Sequence, residues 1–291
     1  MKILVTGKNG QLGKSINKVI LDSQPLHKFL FIGKDELDFS NSENISNYFT
    51  KNNFDGIINC AAYTNVEKAE LEIELANEVN YKSVEELAKI SKKLKMKLIH
   101  ISTDYVFDGK VSNSYLEVDS TNPVNVYGRT KLAGEMAIIE IMKSNALVIR
   151  TSWLYSEFGN NFVNTILKLS KKKKSINVIG DQFSSPTFAT DLAKAILLII
   201  NGPIFAQDQH ETKLYHYSNE GECSWASFAK KIVELSNNNC EVKDILSSDY
   251  DAMANRPQKT TLNKARITEE FNLKIPHWKK SLKKCIEFGV L

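Results

Sequence analysis

The chain has 291 residues, 42% of them hydrophobic and 25% charged, enough to bury a sizeable core in one large domain or two linked ones. The formal net charge is only +4, from 38 Lys and Arg against 34 Asp and Glu. A balance this small and this dispersed argues against nucleic acid or a membrane surface as a partner.

The first run, "KILVT", is short and apolar and stops at Gly7, so it is expected to be a buried strand. A strand from Lys2 leaves no room for a secretory leader, and a cytoplasmic location is expected. "QLGKSINKVIL" follows with helical spacing. "FLFIG" reads as a second strand, "GIINCAA" as a third, "LIHIST" as a fourth and "ALVIRTSWLY" as a fifth. Helical stretches lie between them, among them "NEVNYKSVEELAKISKKL" and "VYGRTKLAGEMAIIEIM". Strands that are apolar throughout and alternate with helices predict an α/β fold, a Rossmann-type doubly wound parallel sheet covered on both faces.

Beyond about residue 153 the pattern loosens. "KKKK", Lys171 to Lys174, suits a solvated helix end, where lysines meet the negative pole of the dipole. "INVIG" reads as a short strand, "TDLAKAILLII" as a helix from about Thr190 and "LYHYSN" as another strand. The apolar part of that helix is too short to cross a bilayer and contains Lys194. The expected division is a dinucleotide-binding domain from 1–152 plus about 188–220. A smaller, partly interleaved C-terminal substrate lobe takes about 153–187 plus 221–291. Cys60, Cys223, Cys240 and Cys285 are scattered without metal-ligand spacing, which suits a reducing compartment.

Chemistry gathers at three places. "TGKNGQLG" sets Gly7, Gly10 and Gly13 between the first strand and the first helix, where close backbone approach and free helix N–H groups favour a pyrophosphate. The second strand ends "GKDELD". Lys34 there, with Lys8 inside the glycine turn, favours the 2′-phosphate of NADPH, with NADH possible, and Asp38 is assigned to the adenine end. "VYGRTKLAGE" carries Tyr127 and Lys131 four residues apart, on one helix face. A phenol beside an ammonium suits proton transfer to a carbonyl oxygen that receives a hydride. The fourth strand ends in Ser102 and Thr103. Ligands of open α/β sheets bind at strand carboxyl ends, so Thr103 is expected to hold the same oxygen, with Ser102 facing the opposite way.

These elements, in this order, resemble the extended short-chain dehydrogenase/reductases. "LDFSN", "NCAAYTNVEKAE", "ISTDYVFDG", "NPVNVYGRTKLAGE", "RTSWLYSEFGNNFV", "SPTFATDLA" and "RPQKTTL" extend the resemblance along nearly the whole chain to the dTDP-4-dehydrorhamnose reductases. That family reduces the C4 ketone of dTDP-4-dehydro-L-rhamnose to dTDP-L-rhamnose for bacterial surface polysaccharide. The resemblance implies Thr103, Tyr127 and Lys131 as the catalytic set. With Tyr127 and Lys131, the cofactor side is Gly7, Asn9, Gly10, Gln11, Leu12, Gly13, Lys34, Asp38, Phe39, Ala61, Ala62 and Tyr63. The sugar nucleotide is assigned to Thr103, Tyr105, Trp153, Asn161, Phe162, Gln182 and Arg256, the last reaching the diphosphate.

Some members are dimers that hold magnesium through glutamates, one of them early in the first helix. Here "KSINK" has Ser15 and no glutamate, so no metal is expected, and the protein is expected to be a monomer or homodimer. Dehydration, as in relatives with Thr-Asp-Glu at the fourth strand end, is disfavoured by Tyr105 in the third position. Two alternatives stay open: a reductase giving the C4 epimer, dTDP-6-deoxy-L-talose, and a non-catalytic NADP-binding regulatory subunit.

Overall fold

The computed structural model describes residues 1–23, 25–202, 205, 207–208 and 211–289. Its strands are β1 (Lys2–Thr6), β2 (Lys28–Phe31), β3 (Gly56–Asn59), β4 (Lys97–Thr103), β5 (Ala146–Thr151) and β6 (Leu154–Tyr155). They continue with β7 (Ser175–Ile179), β8 (Phe183–Ser184), β9 (Thr187–Phe188), β10 (Lys213–Tyr217), β11 (Cys223–Ser224) and β12 (Glu241–Ile245). Six of them form one sheet in the order β10-β5-β4-β3-β1-β2. Every pairing within it is parallel.

Strand alternation sends side chains to two separate cores. Ile3, Val5, Ile58, Ile99, Leu147, Ile149 and Tyr215 pack with α1 (Gln11–Leu21), α8 (Ala189–Asn201) and the helix Ala265–Phe271. Leu4, Ile57, Leu98, Ala146 and Val148 face the other way, toward α2 (Glu43–Phe49), α5 (Ser83–Lys93) and α6 (Val126–Met142). The expected doubly wound sheet is the observed one.

A third core lies beyond the sheet. Tyr155, Val163, Ile166, Ile176, Phe188, Phe228, Ile232, Trp278 and Leu282 join α7 (Phe162–Lys172) to the helices Trp225–Leu235 and Trp278–Gly289. One segment departs from the expected division. Ala265–Phe271 falls in the stretch assigned to the lobe, yet Ile267 and Phe271 belong to the sheet core, with Phe271 edge-on to Tyr215 at 5.2 Å.

Two elements differ from expectation. "ALVIRTSWLY" is not one strand: β5 ends at Thr151, Trp153 takes a left-handed φ of +45°, and β6 restarts at Leu154 against β9. A left-handed residue cannot continue a ladder, and here it turns the chain from the sheet into the lobe. The helix expected in "NEVNYKSVEELAKISKKL" runs from Ile73 to Lys93 but widens to a π-turn at Glu78–Lys82. Asn80 in that turn holds Tyr63 by both main-chain groups and donates to the Thr130 hydroxyl of α6 at 3.1 Å. The strand carboxyl ends thus bring Gly7, Cys60 to Ala62, Thr103 and Trp153 to one rim of the sheet.

Candidate active site

The glycine turn is built as its spacing implies. Gly7 has a φ of +70°, and a Cβ there would stand 2.9 Å from the Cys60 carbonyl carbon. A Cβ on Gly13 would stand 2.3 Å from the Gly7 oxygen, so α1 packs flush on the turn. Gly10 caps α1 without a side chain, and the first turn holds no acid. The helix N-terminus therefore keeps its N–H groups and positive pole for an anion.

The other cofactor candidates divide. Leu12 and Phe39 point into the two sheet cores, so only their main chains face the turn or the second strand's end. Asn9 is exposed on the turn. The Gln11 side chain reaches across to the lobe: its Oε1 accepts from Ser156 at 3.0 Å and Asn161 at 2.9 Å, and its Nε2 donates to the Leu154 carbonyl at 3.2 Å. Lys8 is paired with Glu36, and Lys34 lies 3.6 Å from Asp38. Both cations of the expected phosphate corner thus already face carboxylates. Ala61 donates its N–H to Thr6 and Asn59, Ala62 is half-buried, and the Tyr63 hydroxyl donates to Glu72 at 2.6 Å.

Of the three catalytic candidates, Thr103 and Tyr127 meet in a hydrogen bond, and Lys131 follows one turn along the same helix. Thr103 ends β4 and caps the next turn, accepting the Tyr105 N–H at 3.2 Å and donating to Asp104 at 3.2 Å. Asn125 caps α6 by accepting the Gly128 N–H at 2.8 Å, and Glu70 accepts the Val126 N–H at 2.7 Å. These caps fix the first turn, which carries Tyr127. Burial pushes the Tyr127 phenol up to about 12; a hydrogen bond with Thr103 pulls it down and the nearby Asp104 raises it further. At neutral pH it is a protonated phenol, a donor.

Lys131 is 2% exposed. Its Nζ donates to the Ile101 carbonyl at 2.7 Å and lies 3.2 Å from His100 Nε2. Burial lowers it to about 8, against the raising influence of Glu135 and Cys60. One turn further, Glu135 takes Nε and Nη2 of Arg150 at 2.7–3.1 Å, both side chains buried, with the guanidinium over Phe107. Asp104 is raised to about 7 by burial, although hydroxyls of Thr260, Thr103 and Ser184 donate to it. Ser102 lies on the opposite side of β4 from Thr103 in the alternation, and its hydroxyl has no hydrogen-bond partner among the described residues.

Of the substrate candidates, Tyr105 stands edge-on to Tyr127 at 5.8 Å and is hydrogen-bonded by Arg256. Arg256 also pairs with Glu67 at 2.5 Å, and Glu67 accepts the N–H groups of Met253 and Ala254. Trp153 stacks on Trp225 with centroids 3.4 Å apart, and Phe162 tilts against the same indole at 4.5 Å. Gln182 is buried. Asn161 has a local structural role. It caps α7, accepting the Asn164 N–H at 3.0 Å, while its amide nitrogen donates to Gln11, Ser156 and Phe158. Its side chain is occupied in holding the lobe to the glycine turn.

Trp225, Glu67, Asp104, Glu135 and His100 were not among the expected site residues. Trp225 follows the N-cap Ser224, and His100 interrupts an apolar strand; both are visible in the sequence, but neither position names its partner. Among the described residues no group of three His, Cys, Asp or Glu is arranged to hold a metal ion, and Ser15 is fully buried on α1.

Known proteins resemble this chain. The family model described as RmlD substrate binding domain matches residues 1–289. The dTDP-4-dehydrorhamnose reductase of Escherichia coli K12 is 37% identical over 98% of this chain and 97% of its own length. A crystal structure of a dTDP-4-dehydrorhamnose reductase from Clostridium acetobutylicum superposes with a TM-score of 0.92 at 32% identity, covering 100% of both chains. The Bacillus anthracis dTDP-4-dehydrorhamnose reductase, solved in complex with NADP, gives 0.91 at 34% identity over 99% of each chain.

Proposed function

This chain belongs to the dTDP-4-dehydrorhamnose reductase family, and from that membership we propose that it uses NADPH to reduce the C4 ketone of dTDP-4-dehydro-L-rhamnose to dTDP-L-rhamnose. The observation that carries this reading is the hydrogen bond between Thr103 and Tyr127, with Lys131 one turn along the same helix, at the rim where the glycine turn also opens. The product serves surface polysaccharide synthesis. A cytoplasmic location is part of the proposal; the structure adds that no helix among the described residues is long and apolar enough to cross a membrane. The protein acts as a monomer or homodimer.

The residues present fit the cofactor. Gly7 and Gly13 leave the close approach that a pyrophosphate needs, and the uncapped N-terminus of α1 supplies N–H donors. Lys8 and Lys34 lie at the ribose corner, though each must share its charge with an acid. When bound, NADPH supplies the hydride. Tyr127, held neutral by burial, gives its proton to the C4 oxygen as negative charge develops there. Thr103 orients that oxygen with the hydroxyl it places beside the phenol. Lys131, one turn further along α6, would bond the nicotinamide ribose. Trp153 covers the apolar face of the deoxy-sugar, braced by Trp225. Arg256 serves the diphosphate, exchanging its contact with Glu67. The lobe division follows the same reading, with 265–271 transferred to the cofactor side.

The test is NADPH oxidation with dTDP-4-dehydro-L-rhamnose and identification of the product by NMR. The expected product is dTDP-L-rhamnose. Formation of dTDP-6-deoxy-L-talose would correct the stereochemistry, and tight NADPH binding without turnover would return the chain to a binding role.

A further inference from the structure

Beneath the helix that carries Tyr127, three polar side chains on neighbouring strands stand side by side in one row. The strand register sets Thr6 beside Asn59 and Asn59 beside His100, and all three are buried. The Thr6 hydroxyl donates to Asn59 Oδ1 at 2.6 Å, and the Ala61 N–H donates to the same oxygen at 3.2 Å. Asn59 therefore turns its amide nitrogen to His100 Nδ1, 3.0 Å away. The other ring nitrogen, Nε2, lies 3.2 Å from Lys131 Nζ. A buried polar row of this kind is destabilising unless every member is satisfied, and neither the glycine turn nor the phenol requires it.

The donors determine the state of the ring. The Asn59 amide needs a lone pair at Nδ1, so the single proton of a neutral imidazole sits on Nε2 and points at Lys131. A neutral amine has a lone pair to accept that proton, whereas an ammonium has only N–H groups to set against it. We propose that Thr6, Asn59 and His100 form a buried relay that sets the charge of Lys131. The row favours the neutral amine. Lys131 gains its proton when Asn59 and His100 reverse their hydrogen-bond direction together.

His100 is then a positioning residue that acts through Lys131, an inference that rests on the catalytic assignment of Lys131 proposed above. The directions of the two titrations agree with it: burial and Lys131 hold His100 well below its usual value, and burial lowers Lys131. The remaining charged or titratable groups around Lys131 are Cys60 at the end of β3, Tyr127 and Glu135 on α6, and Arg150 on β5, which is paired with Glu135.

Two measurements test the relay. In enzyme enriched with 15N-histidine, two-bond nitrogen–proton correlations report the tautomer of each ring. At a pH high enough for Lys131 to be neutral, the His100 signals, identified by their loss in His100→Gln, are expected to show a proton on Nε2 and a lone pair on Nδ1, and the reverse once Lys131 is charged. The second measurement is the pH profile of kcat. His100→Gln offers an oxygen to an ammonium, and Thr6→Val frees the Asn59 amide to turn. Both should move the limb belonging to Lys131 upward, by about one pH unit for His100→Gln and less for Thr6→Val. A proton on Nδ1 while Lys131 is neutral, or a limb that stays in place while kcat falls equally at every pH, overturns the relay. Absence of any reductase turnover would instead overturn the proposed function, and the tautomer measurement would still decide the relay.

Discussion

Arg150→Met removes one half of the buried ion pair one helical turn beyond Lys131. The loss leaves Glu135, which has no exposed surface, without the guanidinium that meets both its oxygens. Stranding a buried charge in this way costs about 3–5 kcal/mol. Glu135 has one escape, which is to take up a proton. At pH 7 that costs about 1.4 kcal/mol for each unit above an ordinary glutamate value near 4.3, or roughly 4 kcal/mol, which caps the electrostatic penalty. In the variant the folded-state pKa of Glu135 is raised, so the folded protein holds a proton that the unfolded chain has released. The variant's stability accordingly falls as pH rises from about 4.3, and its deficit against the parent should shrink by about 2–3 kcal/mol between pH 7 and pH 5. Adding Glu135→Gln removes the stranded charge and should recover most of the loss. Urea unfolding of the parent, both single variants and the double variant at the two pH values measures all of this. A deficit that does not change with pH, with additive single effects, would refute the view that this pair is held by charge rather than by shape.

Tyr127→Phe keeps the ring and removes the donor, so kcat should fall by about 10²–10⁴ while direct titration shows NADPH binding nearly as before; near-full kcat with chemistry rate-limiting would count against the proposed role. Arg256→Ala should weaken the sugar nucleotide by about ten- to hundredfold in calorimetry and leave NADPH unaffected, and equal losses would make the contact with Glu67 a structural one. Asp104→Asn should flatten the pH dependence of stability. The folded-state value of Asp104 is raised to about 7, so the parent loses stability as pH climbs from about 4 toward 7 and the amide does not; parallel melting profiles of the two proteins would contradict this. Lys34→Ala should narrow the preference for NADPH over NADH by only about fivefold or less, because the pair with Asp38 is exposed, and an unchanged ratio of kcat/KM values would remove Lys34 from the corner.

Much of the sheet was legible in the sequence because most of its strands are short, mainly apolar runs, the signature of strands buried on both faces. The glycine turn and the Tyr127–Lys131 spacing were legible because each is local. What stayed hidden depends on pairing across space. His100 reads as one polar residue in "LIHIS" until the register sets it between Asn59 and Lys131. Arg256 and Glu67 are far apart in the chain and meet only through the fold. Trp153 showed its bulk but not its left-handed backbone, which cuts the expected fifth strand in two. Asn161 sits directly before "FVNTIL", where an asparagine is a local N-cap signal, and the N-cap of α7 is the position it takes.

The strand order has a consequence for how the chain can be divided. β10 pairs with β5 from Leu147 to Thr151, and α8 packs beside α1 in the core they share, yet the chain enters the lobe before it makes either of them. A fragment ending near residue 152 would contain the glycine turn, Thr103, Tyr127 and Lys131. It would also present β5, buried at every position in the whole protein, as a naked edge, with the apolar face of α1 left bare. Such an edge is a template for pairing with other chains. The part that carries the glycine turn is therefore not expected to detach as a module, because the polypeptide completes its first core only after it has begun its third.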